Sequence, residues 1–463
     1  MKRTDMIVER IKHQVESGLL RPGERLLSVR AAAGEYGVSK NTVADAYDRL
    51  VALGLLASRQ GSGYFVAPGR LAMTGEPSPH VVEAIDTASL LREQLVQHYR
   101  VRVGDGRPPL AWMKHLDFGR LLGQLKMSAS SEVGHGYSDP WGYRPLRERL
   151  ALMLTDRAIE ASPDQILLTY GANHALDLVA RQLLEPGDTV LVDSPGYYPL
   201  FGKLRLSRIR IVGVRRGAEG PDLEDLAAKC DALRPKVFFT QSLAHNPTGG
   251  SITLPVAHRL LQLAEQKGFF IVEDDPFADI LPPLSPRLAT LDQFKRVIYI
   301  GTVSKTLSAS LRIGYVVGEP KLMATLCDLK MLTVVNSSDL LERVTFNLIA
   351  SGHYLRHLRR LKQHVEDATQ RAKEACDRLG IALPYPCGGG YYLWGELWPG
   401  TDELALARRA AQEGLFLAPG SIFRPDKSEH RAAIRINIAY ADDPLFINFM
   451  QRAADELRQP TPS

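Results

Sequence analysis

The chain has 463 residues, 45% of them hydrophobic and 24% charged, with a net charge of +5. That composition is globular rather than disordered, and the length suits two or three domains. No stretch approaches the about 20 apolar residues of a membrane span, and the N-terminal run Met1–Gln14 has no signal-peptide core. Cys230, Cys327, Cys376 and Cys387 are scattered without a Cys-x-x-Cys pair, which argues against a disulfide framework or a zinc ribbon. A soluble, cytoplasmic protein is expected. The charge is unevenly spread: residues 1–70 hold 11 Lys+Arg against 7 Asp+Glu, whereas the remaining 393 hold 46 against 45. A small basic piece precedes a nearly neutral body, as in chains that bind a polyanion at one end.

In residues 5–17, Ile7, Ile11 and Val15 form one apolar helical stripe, which Gly18 and Pro22-Gly23 end. A second helix, rich in alanine, fits 28–36. Gly37 supplies a turn, and Ser39 is a natural N-cap for a third helix with Val43, Tyr47, Leu50 and Leu53 on one face. Strands Leu55–Ser58 and Tyr64–Val66 flank the turn Gln60-Gly61-Ser62-Gly63. Helix, helix-turn-helix and hairpin together make a winged helix-turn-helix. Its third helix opens with Ser39-Lys40-Asn41-Thr42, short or basic polar residues suited to base edges and phosphates in the major groove.

The run from Leu26 to Val66 (LLSVRAAAGEYGVSKNTVADAYDRLVALGLLASRQGSGYFV) resembles the GntR-type DNA-binding domain. That resemblance implies DNA contacts by Arg30, Ser39, Lys40, Thr42 and Gly61. Leu27 stands where proline is common, and Ala44 where some members carry a contacting arginine. The expected divisions are a winged helix over 1–67, a linker over 68–97 and a large domain over 98–463. The last has a large subdomain at about 135–325 and a smaller α+β subdomain at about 326–463, joined by the N-terminal segment. A helix is also expected over 81–101.

From about residue 160, short apolar runs alternate with helical patterns. Strands are expected at Ile166–Tyr170, Thr189–Asp193, Ile209–Val214, Val237–Gln241, Phe269–Glu273, Val297–Gly301 and Ile313–Val317. Such alternation predicts an α/β fold: a mostly parallel seven-stranded sheet with helices on both faces, and ligand sites at the strands' carboxyl ends. Polar motifs follow several of those ends. Tyr170-Gly171-Ala172-Asn173-His174 opens a helix, either as a simple turn or as a phosphate cradle. Lys305, among Thr302, Ser304 and Thr306 with Arg312 nearby, is either a surface lysine or a Schiff-base amine beside an anion site. Glu273-Asp274-Asp275 could cap helices or bind metal, but no histidine or further acid lies close enough in sequence to favour a metal. Asn246-Pro247-Thr248-Gly249 and Arg435 in Ile434-Arg435-Ile436-Asn437 complete the set.

Taken in this order and spacing, residues 98–463 resemble the fold-type I pyridoxal-phosphate enzymes of the class I aminotransferase group. The resemblance implies an internal aldimine on Lys305, which would also shuttle protons. It implies Asp274 on the protonated pyridine nitrogen, Asn246 on the ring 3′-oxygen and Tyr197 stacked on the ring. Ala172, Asn173, Thr302 and Arg312 would hold the phosphate, with Tyr137 reaching in from a partner subunit. Arg435 would clamp an effector or substrate carboxylate. Phe277 departs from relatives whose tyrosine at that position places a hydroxyl on the 3′-oxygen.

A GntR-type winged helix joined to an aminotransferase-like domain resembles the MocR-type transcriptional regulators. That implies pyridoxal 5′-phosphate as cofactor, double-stranded DNA as partner, and an amine, amino acid or the cofactor itself as effector. It also implies a homodimer, often head-to-tail, with no membrane or metal partner. Two other readings stay open: a working aminotransferase with an accessory DNA-binding domain, and a degenerate aminotransferase fold kept for dimerisation.

Overall fold

The computed structural model describes residues 3–16, 20, 23–59, 62–67, 99–114, 136–426 and 431–458. The chain divides into two compact units, Met1–Pro77 and Ser78–Ser463. Gly18, Pro22, Gln60, Gly61 and the linker expected at 68–97 lie outside the described residues, as does most of the helix expected at 81–101. The end of that expected helix is extended instead. Arg100 N donates to Gly414 O at 2.8 Å, and Val101 forms a parallel bridge with Leu415.

The first unit contains α1 (Arg3–Glu16), α2 (Val29–Tyr36) and α3 (Lys40–Ala52), then the antiparallel hairpin β1 (Leu56–Arg59) and β2 (Gly63–Val66). Ile7 and Ile11 of α1 meet Val43, Tyr47 and Leu50 of α3, and Leu56 and Val66 close the same core from the wing. Gly37, at φ +61°, ends α2 by returning its N–H to Ala33 O, and Ser39 Oγ then accepts from Thr42 N at 3.2 Å to start α3. The turn of the helix-turn-helix is thus built by a left-handed glycine followed by a hydroxyl cap. Asp5 and Arg49 pair across α1 and α3 at 2.8 Å, and Tyr47 OH donates to Leu27 O at 3.1 Å. Leu53, expected on the apolar face, is 60% exposed because α3 ends at Ala52 and Gly54 (φ +71°) turns the chain toward β1.

The second unit is built on one twisted sheet. Helix α4 (Arg144–Thr155) precedes β3 (Ile166–Tyr170), α5 (Ala172–Leu183), β4 (Thr189–Ser194), α6 (Tyr198–Leu206) and β5 (Arg210–Gly217). Next come the two-residue β6 (Gly220–Pro221), α7 (Leu223–Leu233), β7 (Val237–Thr240), α8 (Leu254–Lys267), β8 (Phe270–Asp275), β9 (Val297–Thr302) and β10 (Ile313–Val317). The strand order is β3-β10-β9-β8-β7-β4-β5-β6. Strands β9, β8, β7, β4 and β5 run parallel, whereas β10 is antiparallel to both β3 and β9. The seven expected strands are all present, and β6 extends the edge.

Side chains along these strands alternate between two cores. Leu168, Leu191, Phe238, Ile271 and Tyr299 enter one, while Leu167, Val190, Val192, Phe239, Val272 and Ile300 enter the other. A sheet covered on both faces needs such near-continuous apolar strands. It also leaves polar groups only at the strand ends, which is where the motifs sit.

The chain continues through α9 (Pro320–Val334), α10 (Asp339–Ala350) and the long α11 (His353–Leu379) to a smaller layer. There β11 (Tyr392–Glu396), α12 (Glu403–Gln412), β12 (Ala418–Pro419), β13 (Ala433–Asn437) and α13 (Pro444–Arg458) form a three-stranded antiparallel sheet with its helices. No helix among the described residues is long and apolar enough to cross a membrane.

Because Leu50 is fully buried in the small core of the first unit, Leu50→Ala should cost about 2–5 kcal/mol there. Hydrogen exchange should show α1 and α3 losing protection while the amides of β7–β9 keep theirs.

Candidate functional site

The parallel strands bring their carboxyl ends to one side, and the three acids ending β8 show how a site forms there. Neighbouring residues on a strand face opposite ways. Glu273 and Asp275 share one face and are fully buried. Glu273 accepts from Ser242 Oγ and from the backbone N–H groups of Leu288 and Ala289 at 2.8 and 2.7 Å, capping the short helix Leu288–Asp292. Burial pushes its carboxyl up to about 7. Asp275 accepts from Arg287 Nε at 2.6 Å and Tyr299 OH at 3.0 Å. Asp274 faces the other way and lines a cavity of about 480 Å³. Its Oδ2 accepts from Gln241 Nε2 at 2.6 Å, and its Oδ1 is buried without a partner. Burial raises this carboxyl to about 6, opposed by the Gln241 hydrogen bond. Of the two roles weighed for this run, capping falls to Glu273. No group of His, Cys, Asp or Glu among the described residues is arranged to hold a metal ion.

Lys305 lies just past the end of β9 on the same cavity. Its backbone is fixed by Tyr391 OH, which donates to Lys305 O at 2.6 Å. Beneath it, Thr306 Oγ1 donates to Asp279 at 3.1 Å, and that carboxylate also receives Tyr354 OH and Arg157. A buried ion pair with added hydrogen-bond donors therefore anchors the lysine loop.

The opposite end of the cavity is an anion cradle. Gly171 (φ +74°) turns the chain from β3 into α5, so Ala172 and Asn173 lie at a helix N-terminus with unpaired N–H groups and a favourable dipole. Arg312 donates to Tyr170 O at 3.1 Å, and its guanidinium lies where a Cβ on Gly171 would sit, 2.8 Å away. Thr302 holds Ser304 N at 3.1 Å. Of the cofactor residues expected from sequence, the cavity wall includes Lys305, Asp274, Asn246, Tyr197, Ala172, Asn173, Thr302 and Arg312.

Two expected residues do not line it. Tyr137 is 86% exposed in the segment Gly136–Pro140. That segment is clamped by Asn336, which donates to Ser138 Oγ at 2.8 Å, and by the buried Lys330, which donates to Pro140 O, Leu168 O and Ser337 Oγ at 2.7–2.8 Å. Burial lowers the Lys330 ammonium to about 8. Arg435 is 1% exposed, with rings of Tyr392 and Phe423 at 5.0 and 4.9 Å. It donates to Asn246 Oδ1 at 2.8 Å and to Gly104 O at 2.7 Å. It stands behind a backbone strap, Gly104–Arg107, whose carbonyls are all taken by this region. Asn437 Nδ2 bonds Asp105 O and Arg107 O at 2.9 and 2.8 Å, while Lys305 Nζ and Tyr392 OH share Gly106 O.

Sequence reasoning missed Gln241, Tyr392, Asn437 and this strap. The only local signals were the close glycines Gly104 and Gly106 before Pro108-Pro109, and the tyrosine pair after Gly388-Gly389-Gly390. Phe277 is fully buried, edge-on to Tyr391 and Tyr392 at 5.0 and 5.6 Å, and presents no hydroxyl to the cavity. In the first unit, Arg30, Ser39 and Lys40 are exposed and Thr42 is half-buried. The Ser39 and Thr42 hydroxyls pair at 2.8 Å, and Gly61 lies outside the described residues.

A lysine, a buried carboxylate and an anion cradle at the ends of a parallel sheet define a fold-type I cofactor domain. Residues 93–452 match the family described as aminotransferase class I and II, and residues 3–66 match the gntR family of bacterial regulatory proteins. The chain is similar to the HTH-type transcriptional regulator TauR of Rhodobacter capsulatus, 30% identical over 92% of this chain and 91% of TauR. It is also 30% identical to the probable rhizopine catabolism regulatory protein MocR of Rhizobium meliloti, over 77% of this chain and 73% of that one. The crystal structure of the Thermus thermophilus α-aminoadipate aminotransferase LysN, complexed with N-(5′-phosphopyridoxyl)-L-leucine, matches with TM-score 0.73 and 27% identity, covering 81% of this chain and 98% of LysN. The chain belongs to the MocR-type transcriptional regulators, which join a GntR-type DNA-binding domain to a class I and II aminotransferase domain. Its cofactor is pyridoxal 5′-phosphate. The residues present fit that group, because the unpartnered Asp274 Oδ1 lacks the kind of donor that a protonated pyridine nitrogen supplies.

Gly314 bears directly on the cradle, since a Cβ there would lie 2.4 Å from Gly171 C and 2.6 Å from Ala172 N. Gly314→Ala should displace the start of α5 and weaken pyridoxal phosphate binding by at least about tenfold, read from the absorbance of the bound cofactor in a titration.

Proposed function

We propose that this regulator senses an amine, an amino acid or pyridoxal phosphate itself at Lys305, and passes the state of that site to its winged helix on double-stranded DNA. The observation carrying this reading is the convergence of Lys305, Asp274, Asn246, Tyr197, Thr302 and Arg312 on one cavity, in a chain that begins with a GntR-type domain. Bound pyridoxal phosphate supplies an aldehyde that condenses with primary amines and a ring that withdraws electrons.

The residues divide the work of holding it. Lys305 offers its Nζ, and Asp274 keeps a negative charge against the ring nitrogen. Asn246, whose Oδ1 is already taken by Arg435, offers its amide N–H to the ring oxygen. Tyr197 covers a ring face. Ala172, Asn173, Thr302 and Arg312 receive the phosphate, joined by Tyr137 of the partner subunit. Support for that last contact is the placement of Tyr137, exposed and held on a clamped segment. Close by in sequence to the clamping Asn336, Met331, Leu332, Val334 and Val335 are all exposed, an apolar run suited to a second copy. A two-fold homodimer would read repeated or palindromic half-sites.

Arg435 suits an effector carboxylate bidentately, and reaching it means displacing the Gly104 carbonyl from Nη2. The strap that would yield lies a few residues after the stretch leading from the winged helix, so occupancy at Arg435 and Lys305 would alter the anchorage of the strap. Coupling of this kind requires the effector to bind the two arrangements unequally. On the DNA side, Arg30, Ser39, Lys40, Thr42 and Gly61 would meet phosphates and base edges. The buried Phe277 favours sensing over steady turnover, because the phenol that resembling enzymes bring to the 3′-oxygen is missing.

The decisive measurement is binding of the full chain to DNA from its own upstream intergenic region, with and without pyridoxal phosphate and a panel of amines and amino acids. Wild-type affinity should shift with cofactor or effector, and Lys305→Ala should bind DNA without responding. A wild type indifferent to every compound, or one that fails to bind DNA while turning over an amino acid with a keto acid, would overturn the reading. Separately, Leu332→Asp should shift the dimer to monomer in light scattering and lower cofactor retention.

A further inference from the structure

One polar side chain in the cavity wall belongs to none of the motifs and has no role so far: Gln241, the residue that follows β7. It is buried, and both ends of its amide are used. Nε2 donates to Asp274 Oδ2 at 2.6 Å, and Oε1 accepts from the backbone N–H of Asn246 at 2.7 Å. Asn246 Oδ1 accepts in turn from Arg435 Nη1 at 2.8 Å. A continuous run of hydrogen bonds thus joins Arg435, Asn246, Gln241 and Asp274. The backbone of Gln241 is held from behind, since its carbonyl accepts from Arg216 Nη2 at 3.1 Å and Arg216 pairs with the buried Asp193 at 3.1 Å.

A side-chain amide offers a donor and an acceptor a fixed distance apart. Leucine offers neither, and an ionised glutamate offers no donor. We propose that Gln241 is a positioning residue for pyridoxal phosphate. It holds Asp274 by Oδ2, so that the partnerless Oδ1 is left for the ring nitrogen. It also ties that carboxylate to the Asn246 loop, so the two polar edges of the ring are set by one amide. This rests on the cofactor alone and uses neither the effector nor DNA, so it stands or falls separately from the sensor reading. The charged and titratable groups facing Asp274 are Asp275, which is turned to Arg287, Lys305 across the cavity, and Tyr197.

The test is a pyridoxal phosphate titration of full-length wild type, Gln241→Leu and Gln241→Glu, on both sides of the Asp274 value of about 6. Absorbance of bound cofactor is the readout, and circular dichroism checks each fold; Gln241→Met replaces the leucine variant should that one unfold. The leucine variant should lose about tenfold or more in affinity. Its loss should deepen as pH falls, because Asp274 without its donor takes up a proton sooner. The glutamate variant should be weakest on the alkaline side, where two carboxylates face each other. It should recover toward wild type on the acid side, where the protonated acid restores both donor and acceptor. Those opposite pH trends are what a space-filling role would not produce. Wild-type affinity in both variants, or one equal loss in both at every pH, overturns the proposal.

Discussion

Burial of three consecutive carboxylates at the end of β8 is the constraint around which the larger unit is arranged. A buried charge is tolerated only when it is paired or fully hydrogen-bonded. The strand's alternation sends Glu273 and Asp275 to one side, where a helix start and Ser242 hold Glu273 while Arg287 and Tyr299 hold Asp275 by Oδ2. Asp274 faces the cavity instead, with Oδ1 unmet. That unmet oxygen is an unpartnered acceptor of the kind a protonated pyridine nitrogen would fill. Lys305 depends on a parallel arrangement, since its loop rests on the buried Arg157–Asp279 pair. Two buried electrostatic platforms therefore hold Asp274 and Lys305 on one cavity.

The strap Gly104–Arg107 gives this site a second character. Arg435 and Lys305 both bond carbonyls of a segment that follows closely on the connection to the winged helix. Glycine at 104 lets the strap lie close against Leu417 and Ala418, since a Cβ there would lie 2.5 Å from Ala418 N. Two donors of the site are thus committed to strap carbonyls.

Much of this was legible in the residues. The winged helix could be read because each of its signals is local: an apolar stripe, a left-handed glycine, a hydroxyl cap, a hairpin. Leu53 was misplaced by one turn of periodicity because the helix stops at Ala52. The strands could be read because a doubly covered sheet writes itself as apolar runs, and the motifs at their ends were found in order. Gln241, Tyr392 and Asn437 were not singled out, since a tyrosine pair after three glycines and a place beside Arg435 are weak local signals and Gln241 has none. Their significance comes from partners dozens to hundreds of positions away, such as Asp274 for Gln241 and Gly106 for Tyr392.

By itself the amino-acid sequence determined the division into a basic winged helix and a nearly neutral body, and the order of strands and helices. These follow from composition, periodicity and short-range chemistry, which act along the chain. Tertiary structure alone decided that Asp274 rather than its two acidic neighbours faces the cavity, that Arg435 lies behind a backbone strap, and that Tyr137 is exposed outside the cavity wall. Each of those outcomes depends on which distant groups share a low-dielectric space. Satisfying buried polar atoms is a condition on three-dimensional neighbours that no local pattern encodes.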